Sequence, residues 1–232
     1  MKMAIKRIDG RKANEMRPIT AKVGVIPRAD GSAMFKIGNT QAIAAVYGPR
    51  DLHPKFLQNP DKGILRCNYS MMPFSGHGDR VRPGGNRRSK EISMLISKAL
   101  LPVLNLEDFP NAVVDVFIDL PETDAGTRCA GICAASMALA DAGLLMKDLV
   151  SAMSMGFLDN EILVDINSNE DCDLGATDIP LAYIPSMDKI SLLQLDGGVS
   201  KENLMKILEI GKQKCLEIDK IQRKALREKF KE

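Results

Sequence analysis

Residues 112–143 read "AVVDVFIDLPETDAGTRCAGICAASMALADAG" and constrain this chain more than any other stretch. The first part alternates, placing Val114, Val116, Ile118 and Leu120 on one face of a strand. A glycine turn follows, and the spacing then predicts a helix ending near Gly143. That helix is rich in alanine, and small side chains let it approach a neighbouring layer closely.

The flanking segments fill in the layers. "KVGVIPRADGSAMFKIGNTQAIAAVYGP" holds apolar runs punctuated by Asp30-Gly31 and Gly38-Asn39, which predicts antiparallel β structure. Residues 51–63 read as an exposed basic loop and 64–72 as a strand; Arg50, His53, Lys55, Lys62 and Arg66 supply the charge. Ile92, Leu95, Ile96, Ala99, Leu100 and Val103 keep helical spacing. Downstream, a hairpin is expected around Asp159-Asn160, with strands at "DIPLAYIPS" and "KISLLQLDGG". Ser200 suits the N-cap of a long amphipathic helix whose apolar face steps through Leu204, Leu208, Gly211, Cys215, Ile218 and Ala225 and which ends near Phe230. Strands then helices, twice over, predict an α+β fold of mixed sheets with packed helices. The lobes expected are residues 1–150, with the basic loop and an anion site, and residues 151–232, with further strands and the long helix.

Composition narrows the functional classes. The net charge is +2, so a nucleic-acid surface has to be a local patch. No apolar run is long enough to span a bilayer, and the basic start "MKMAIKRIDGRKANEMRP" lacks a signal-peptide core, so a cytoplasmic protein without membrane contact is expected. The five cysteines are scattered, no C-x-x-C occurs and there are two histidines, which argues against structural zinc. Cys129 and Cys133 share a helix face and read as core.

Three features carry chemistry. Arg87 and Arg88 stand beside "PGGN" at a helix start, where backbone N–H groups and guanidinium forks suit a phosphate, although taken alone such an arginine pair is more often a solvated basic turn. Gly126, Thr127 and Arg128 form a second glycine turn entering a helix; no Gly-Lys-Ser/Thr follows, so it is not a Walker A loop. Asp171, Asp173 and Asp178 stand beside a strand, where carboxylates can hold Mg²⁺ or Mn²⁺ or protonate a leaving oxygen. A local turn accounts for Asp173 as well, whereas burial makes that reading harder for Asp178.

These residues together resemble the RNase PH family, in its archaeal exosome branch. The similarity lies in "DGRKANEMRPI", "ADGSAMFKIGNTQAIAAVYGP", "YSMMPFS", "NRRSKEIS", "DLPETDAGTRCAGICAASMALADAG" and "DIPLA", in the family's order, from about residue 8 to 225. The resemblance implies a fold like domain 2 of ribosomal protein S5. It implies processive 3′→5′ phosphorolysis of single-stranded RNA to nucleoside diphosphates, with 3′ tailing as the reverse reaction. Inorganic phosphate is then a co-substrate and Mg²⁺ or Mn²⁺ a cofactor. The implied partners are an inactive RNase PH-like paralogue, alternating in a hexameric ring (a trimer of heterodimers), and S1/KH RNA-binding cap subunits.

By matching motif, Gly126, Thr127 and Arg128 would bind the attacking phosphate. Arg87 and Arg88 would clamp RNA phosphates, and Tyr69 would stack a base near the 3′ end. Lys62 and Arg66 would belong to the basic loop that narrows the ring's pore. Asp178 would be the second of two acids, holding a metal or donating a proton. The family's acids are six residues apart; here Asp171 precedes Asp178 by seven and Asp173 by five. A one-residue insertion in the turn restores Asp171, and Asp173 is the alternate. Two rival readings are a non-catalytic RNA-binding ring subunit and a stand-alone transfer-RNA-trimming phosphorolase. Arg87, Arg88, Arg128 and Asp178 together favour the enzyme.

Overall fold

The computed structural model describes residues 7–77, 82, 84–229 and 231. Part of the basic start, residues 78–81 and 83 of the glycine-rich basic stretch, and Phe230 lie outside this range. Among the described residues the chain builds two sheets and three long helices in an α+β arrangement.

The first sheet has the order β1-β2-β3-β5-β4, formed by β1 (Ile19–Val23), β2 (Gly31–Ile37), β3 (Thr40–Asp51), β4 (Ile64–Met71) and β5 (Ala112–Glu122). All its pairs are antiparallel except β4 with β5. Gly38, at φ 55°, turns β2 into β3, so Ile37 faces Thr40 as the turn signal foresees. The second sheet, β7-β6-β8-β9, is antiparallel throughout and uses β6 (Ser151–Leu158), β7 (Glu161–Val164), β8 (Thr177–Ile184) and β9 (Lys189–Leu193). Asp159 and Asn160, both at positive φ, close the β6–β7 hairpin.

Helix α1 (Arg87–Leu100) begins earlier than its apolar spacing alone indicates. The reason is a reciprocal cap: Asn86 Oδ1 accepts from Ser89 N at 2.7 Å, and Ser89 Oγ accepts from Asn86 N at 2.9 Å. Arg87 and Arg88 therefore lie inside the first turn. Helix α3 (Lys201–Lys229) buries Ile207, Gly211, Cys215, Ile218, Gln222 and Ala225 along one stripe. Ile207 takes the place expected of Leu208, which is half-buried. Buried Gln222 accepts from Ser151 Oγ at 2.6 Å and donates to the carbonyls of Cys133 and Val150, so its amide is satisfied while tying α3 to its neighbours.

Helix α2 (Thr127–Asp141) lies between the layers. It touches β2, β3 and β5 of one sheet and β6 and β8 of the other, and one apolar core runs through both. Buried nearly all round, it needs small residues on every face. At Gly131 a Cβ would meet Ile96 Cδ1 at 3.3 Å. Where β2 crosses the helix end, a Cβ on Gly31 would lie 2.2 Å from Ala142 N. Among the described residues no helix is long and apolar enough to cross a membrane.

Candidate active site

The N-terminus of α2 opens into a cleft of about 420 Å³. Ala125 and Gly126, at φ 54° and 64°, turn the chain from β5 into the helix. The turn leaves the first N–H groups of α2 without intrahelical partners, and with the helix dipole they favour an anion. Thr127 and Arg128 line the cleft, and Arg88 joins them from the first turn of α1. Arg128 Nε is buried without a hydrogen-bond partner in the described structure, a donor that an anion in the cleft would satisfy.

The opposite wall comes from the second sheet. Asp178, the second residue of β8, is held on both sides: it pairs with Gly156 of β6 and exchanges backbone hydrogen bonds with Asp196. Its carboxylate accepts from Ser154 Oγ at 2.8 Å and from Arg128 Nη1 at 3.2 Å. Burial raises the Asp178 carboxyl above the usual range, and the Ser154 bond and Arg128 only partly offset this.

Residues Asn169–Asp173 form a single π-helical turn in which Leu174 N bonds Asn169 O. A π turn absorbs one residue more than an α turn. It accommodates the seven-residue spacing, and Asp171 and Asp173 both line the cleft. Their environments differ. Asp171 is half-buried; burial first, then the charge of Asp178, raises its carboxyl, while Arg128 and Arg88 oppose the shift. Asp173 is exposed. Of the two, Asp171 is the one whose carboxyl feels the charge of Asp178, while Asp178 itself feels Asp196, its backbone partner.

Other expected residues are placed differently. Arg87 is exposed and does not line the cleft. Tyr69 is 4% exposed within the core, packed towards Gly131. This corrects the expectation of a stacking ring, because the ring has no open face for a base. Its hydroxyl is buried facing Thr127 without hydrogen-bond geometry. Arg66 lies five residues along β4 from cleft-lining Met71, about 17 Å at the usual strand rise. It makes a bidentate pair with Asp115 at 2.5 and 2.8 Å. Lys62 is exposed in the preceding loop, so neither residue enters the cleft.

Sequence reading missed Ser154 and the buried ion pairs beneath the site. Arg7 grips Glu170 at 2.6 and 2.7 Å, and Arg17 grips Asp165 at 2.7 and 2.8 Å. Arg17 was in view within "EMRP"; partners 148 residues away were not.

On this two-sheet frame, a helix start suited to an anion faces Asp171 and Asp178 in one cleft. The chain belongs to the 3′ exoribonuclease family, RNase PH: residues 15–144 match its domain 1 and residues 148–214 its domain 2. It is similar to the exosome complex component Rrp41 of Thermococcus kodakarensis, 50% identical over 97% of this chain and 90% of that one. The Rrp41 component of Methanopyrus kandleri is 46% identical over 97% and 93%. The crystal structure of rice Rrp46 superposes with a TM-score of 0.82 at 27% identity, covering 95% of this chain and all of that one.

Proposed function

We propose that the chain is the catalytic subunit of an archaeal exosome, degrading single-stranded RNA from its 3′ end by phosphorolysis. The observation that carries this reading is the meeting of Arg128, at the anion-binding start of α2, with the acid Asp178 in one cleft. Full-length similarity to Rrp41 exosome components supports the assignment.

In the reaction, an oxygen of inorganic phosphate attacks the last phosphodiester. A new P–O bond forms, the bond to the preceding 3′-oxygen breaks, and that oxygen takes a proton. A nucleoside diphosphate leaves and the RNA is one nucleotide shorter; the reverse reaction adds tails. Two anions must approach each other, so charge neutralisation is the main demand. Gly126, Thr127 and Arg128 would hold the attacking phosphate, with Arg88, backed by Arg87, on the RNA. Asp178, whose carboxyl burial shifts upward, would hold the proton for the leaving oxygen.

Among the described residues no group of three or more His, Cys, Asp or Glu could hold a metal ion. In the alternative role for Asp178, its ionised carboxylate and that of Asp171, which line the same cleft, would hold Mg²⁺ or Mn²⁺, an ion commonly bound by one or two carboxylates and completed by water and substrate phosphate. Such an ion would add to the neutralisation.

The partners are then an inactive paralogue in a six-membered ring and S1/KH caps, and the setting is cytoplasmic. Lys62 and Arg66, remote from the cleft, would guide RNA on its way in. The test incubates labelled RNA with the chain and its ring partner, with and without phosphate. Diphosphates released only with phosphate are expected; monophosphates released without it would overturn the reading.

A further inference from the structure

We infer that Asp124, held by Arg17, is a positioning residue for the reaction, fixing the phosphate turn and the acid turn against each other. The inference rests on the phosphorolytic reading above. Asp124 stands two residues before Gly126 and commits all its polar atoms. Its N donates to Thr40 Oγ1 at 2.9 Å, and its O accepts from Arg17 Nη1 at 2.7 Å. Oδ2 accepts from the same Nη1 at 3.2 Å, and Oδ1 accepts from Ser168 N at 2.9 Å.

Ser168 immediately precedes the π turn that carries Asp171. Arg17 also grips Asp165, three residues earlier on the same excursion from β7. One guanidinium and one carboxylate thus close a circuit of hydrogen bonds between the exit of β5 and the acid-bearing turn. The circuit runs directly beneath the site: a Cβ on Gly126 would lie 3.7 Å from Arg17 Nη2. Thr40 Oγ1 supports the same turn by donating to Ala125 O at 2.7 Å.

Neither Arg17 nor Asp124 lines the cleft, so any effect on chemistry passes through Gly126–Arg128 and Asp171. The arrangement matters because the attacking phosphate is held by one turn and an acid is carried by the other. A displacement of about 1 Å between reacting groups can cost about a hundredfold in rate.

The test uses the chain assembled with its ring partner, and measures kcat, the KM for phosphate, RNA affinity and the thermal midpoint. Asp124→Ala is expected to lower kcat about tenfold or more. It should also raise the phosphate KM and leave RNA affinity within about twofold. Asp124→Asn keeps an oxygen for Ser168 N–H and the backbone carbonyl for Arg17 but turns an amide N–H towards Arg17 Nη1, so it is expected to recover part of the loss. Ser168→Pro removes that N–H at a φ of −61°, which proline adopts. It should reproduce the Asp124→Ala defect, and combining the two should add little. Kinetic constants unchanged in Asp124→Ala, an Asn variant as impaired as the Ala variant, or additive losses in the double variant would each overturn the inference. If Asp124→Ala does not fold, the Asn and Pro variants decide. A parent complex without phosphate-dependent diphosphate release would instead overturn the functional reading on which it rests.

Discussion

Arg128 and Asp178 meet across the cleft, guanidinium Nη1 to carboxylate Oδ2 at 3.2 Å. Each restrains the other until an anion competes for the guanidinium. Arg128→Ala should therefore raise the KM for phosphate at least tenfold, with RNA affinity changed much less. Phosphate dependence identical to the parent's would show that the guanidinium does not bind the co-substrate.

Asp178→Asn preserves shape and the contact with Ser154 but cannot cycle a proton. Turnover should fall about a hundredfold or more while RNA still binds. Single-turnover assays with pre-bound RNA separate the two effects, and near-normal turnover would remove Asp178 from the chemistry.

The two candidate first acids are separable. Asp171→Asn should lower turnover strongly, whereas Asp173→Asn, at an exposed position, should stay within about threefold of the parent. The reverse order, measured under the same phosphate and metal conditions, would make Asp173 the partner of Asp178.

Stability should move the other way at Asp171. Burial, then Asp178, raises its carboxyl above the ordinary 3.8. The folded state thus binds the proton more tightly than the unfolded state. That contribution is complete below pH 3.8 and is lost as pH rises through the folded value, so the charged form costs stability at neutral pH. Asp171→Asn should raise the thermal midpoint at pH 7, and the gain should disappear as pH falls below 3.8. A lower midpoint at pH 7 would mean that unseen favourable contacts of the carboxylate outweigh its burial.

Gly31→Ala tests the packing that carries the site. A Cβ there meets backbone atoms at the C-terminal end of α2, Ala138 O at 2.4 Å and N of the capping residue Ala142 at 2.2 Å, and backbone cannot step aside cheaply. A loss of about 3 kcal/mol in denaturant unfolding is expected. A neutral result would show that β2 and α2 can separate without cost.

Local periodicity made most of the fold legible. Alternation gives β5, small residues give α2, and turn residues at 38–39 and 159–160 give the hairpins. The same alternation in β4, where Leu65 and Cys67 are buried, also carries Tyr69 inward, and reading it strictly would have placed that ring in the core. The motifs marked both walls of the cleft. The links beneath it were not legible, because Arg7 with Glu170, and Arg17 with Asp124 and Asp165, lie more than a hundred residues apart and leave no periodic trace. Nor can spacing alone distinguish Asp171 from Asp173, since the choice turns on one π-helical turn.

Helix α2 bears on the molecule's history as well as its architecture. The phosphate turn at its start is complete by Arg128, but the acids lie beyond residue 170 and the strands covering the helix's second side begin at Ser151. A chain emerging N-terminus first carries α2 with one flank bare and Arg128 without Asp178. The two walls of the cleft meet only when β6 and β8 close over the helix, so the cleft is among the last features of the fold to be completed.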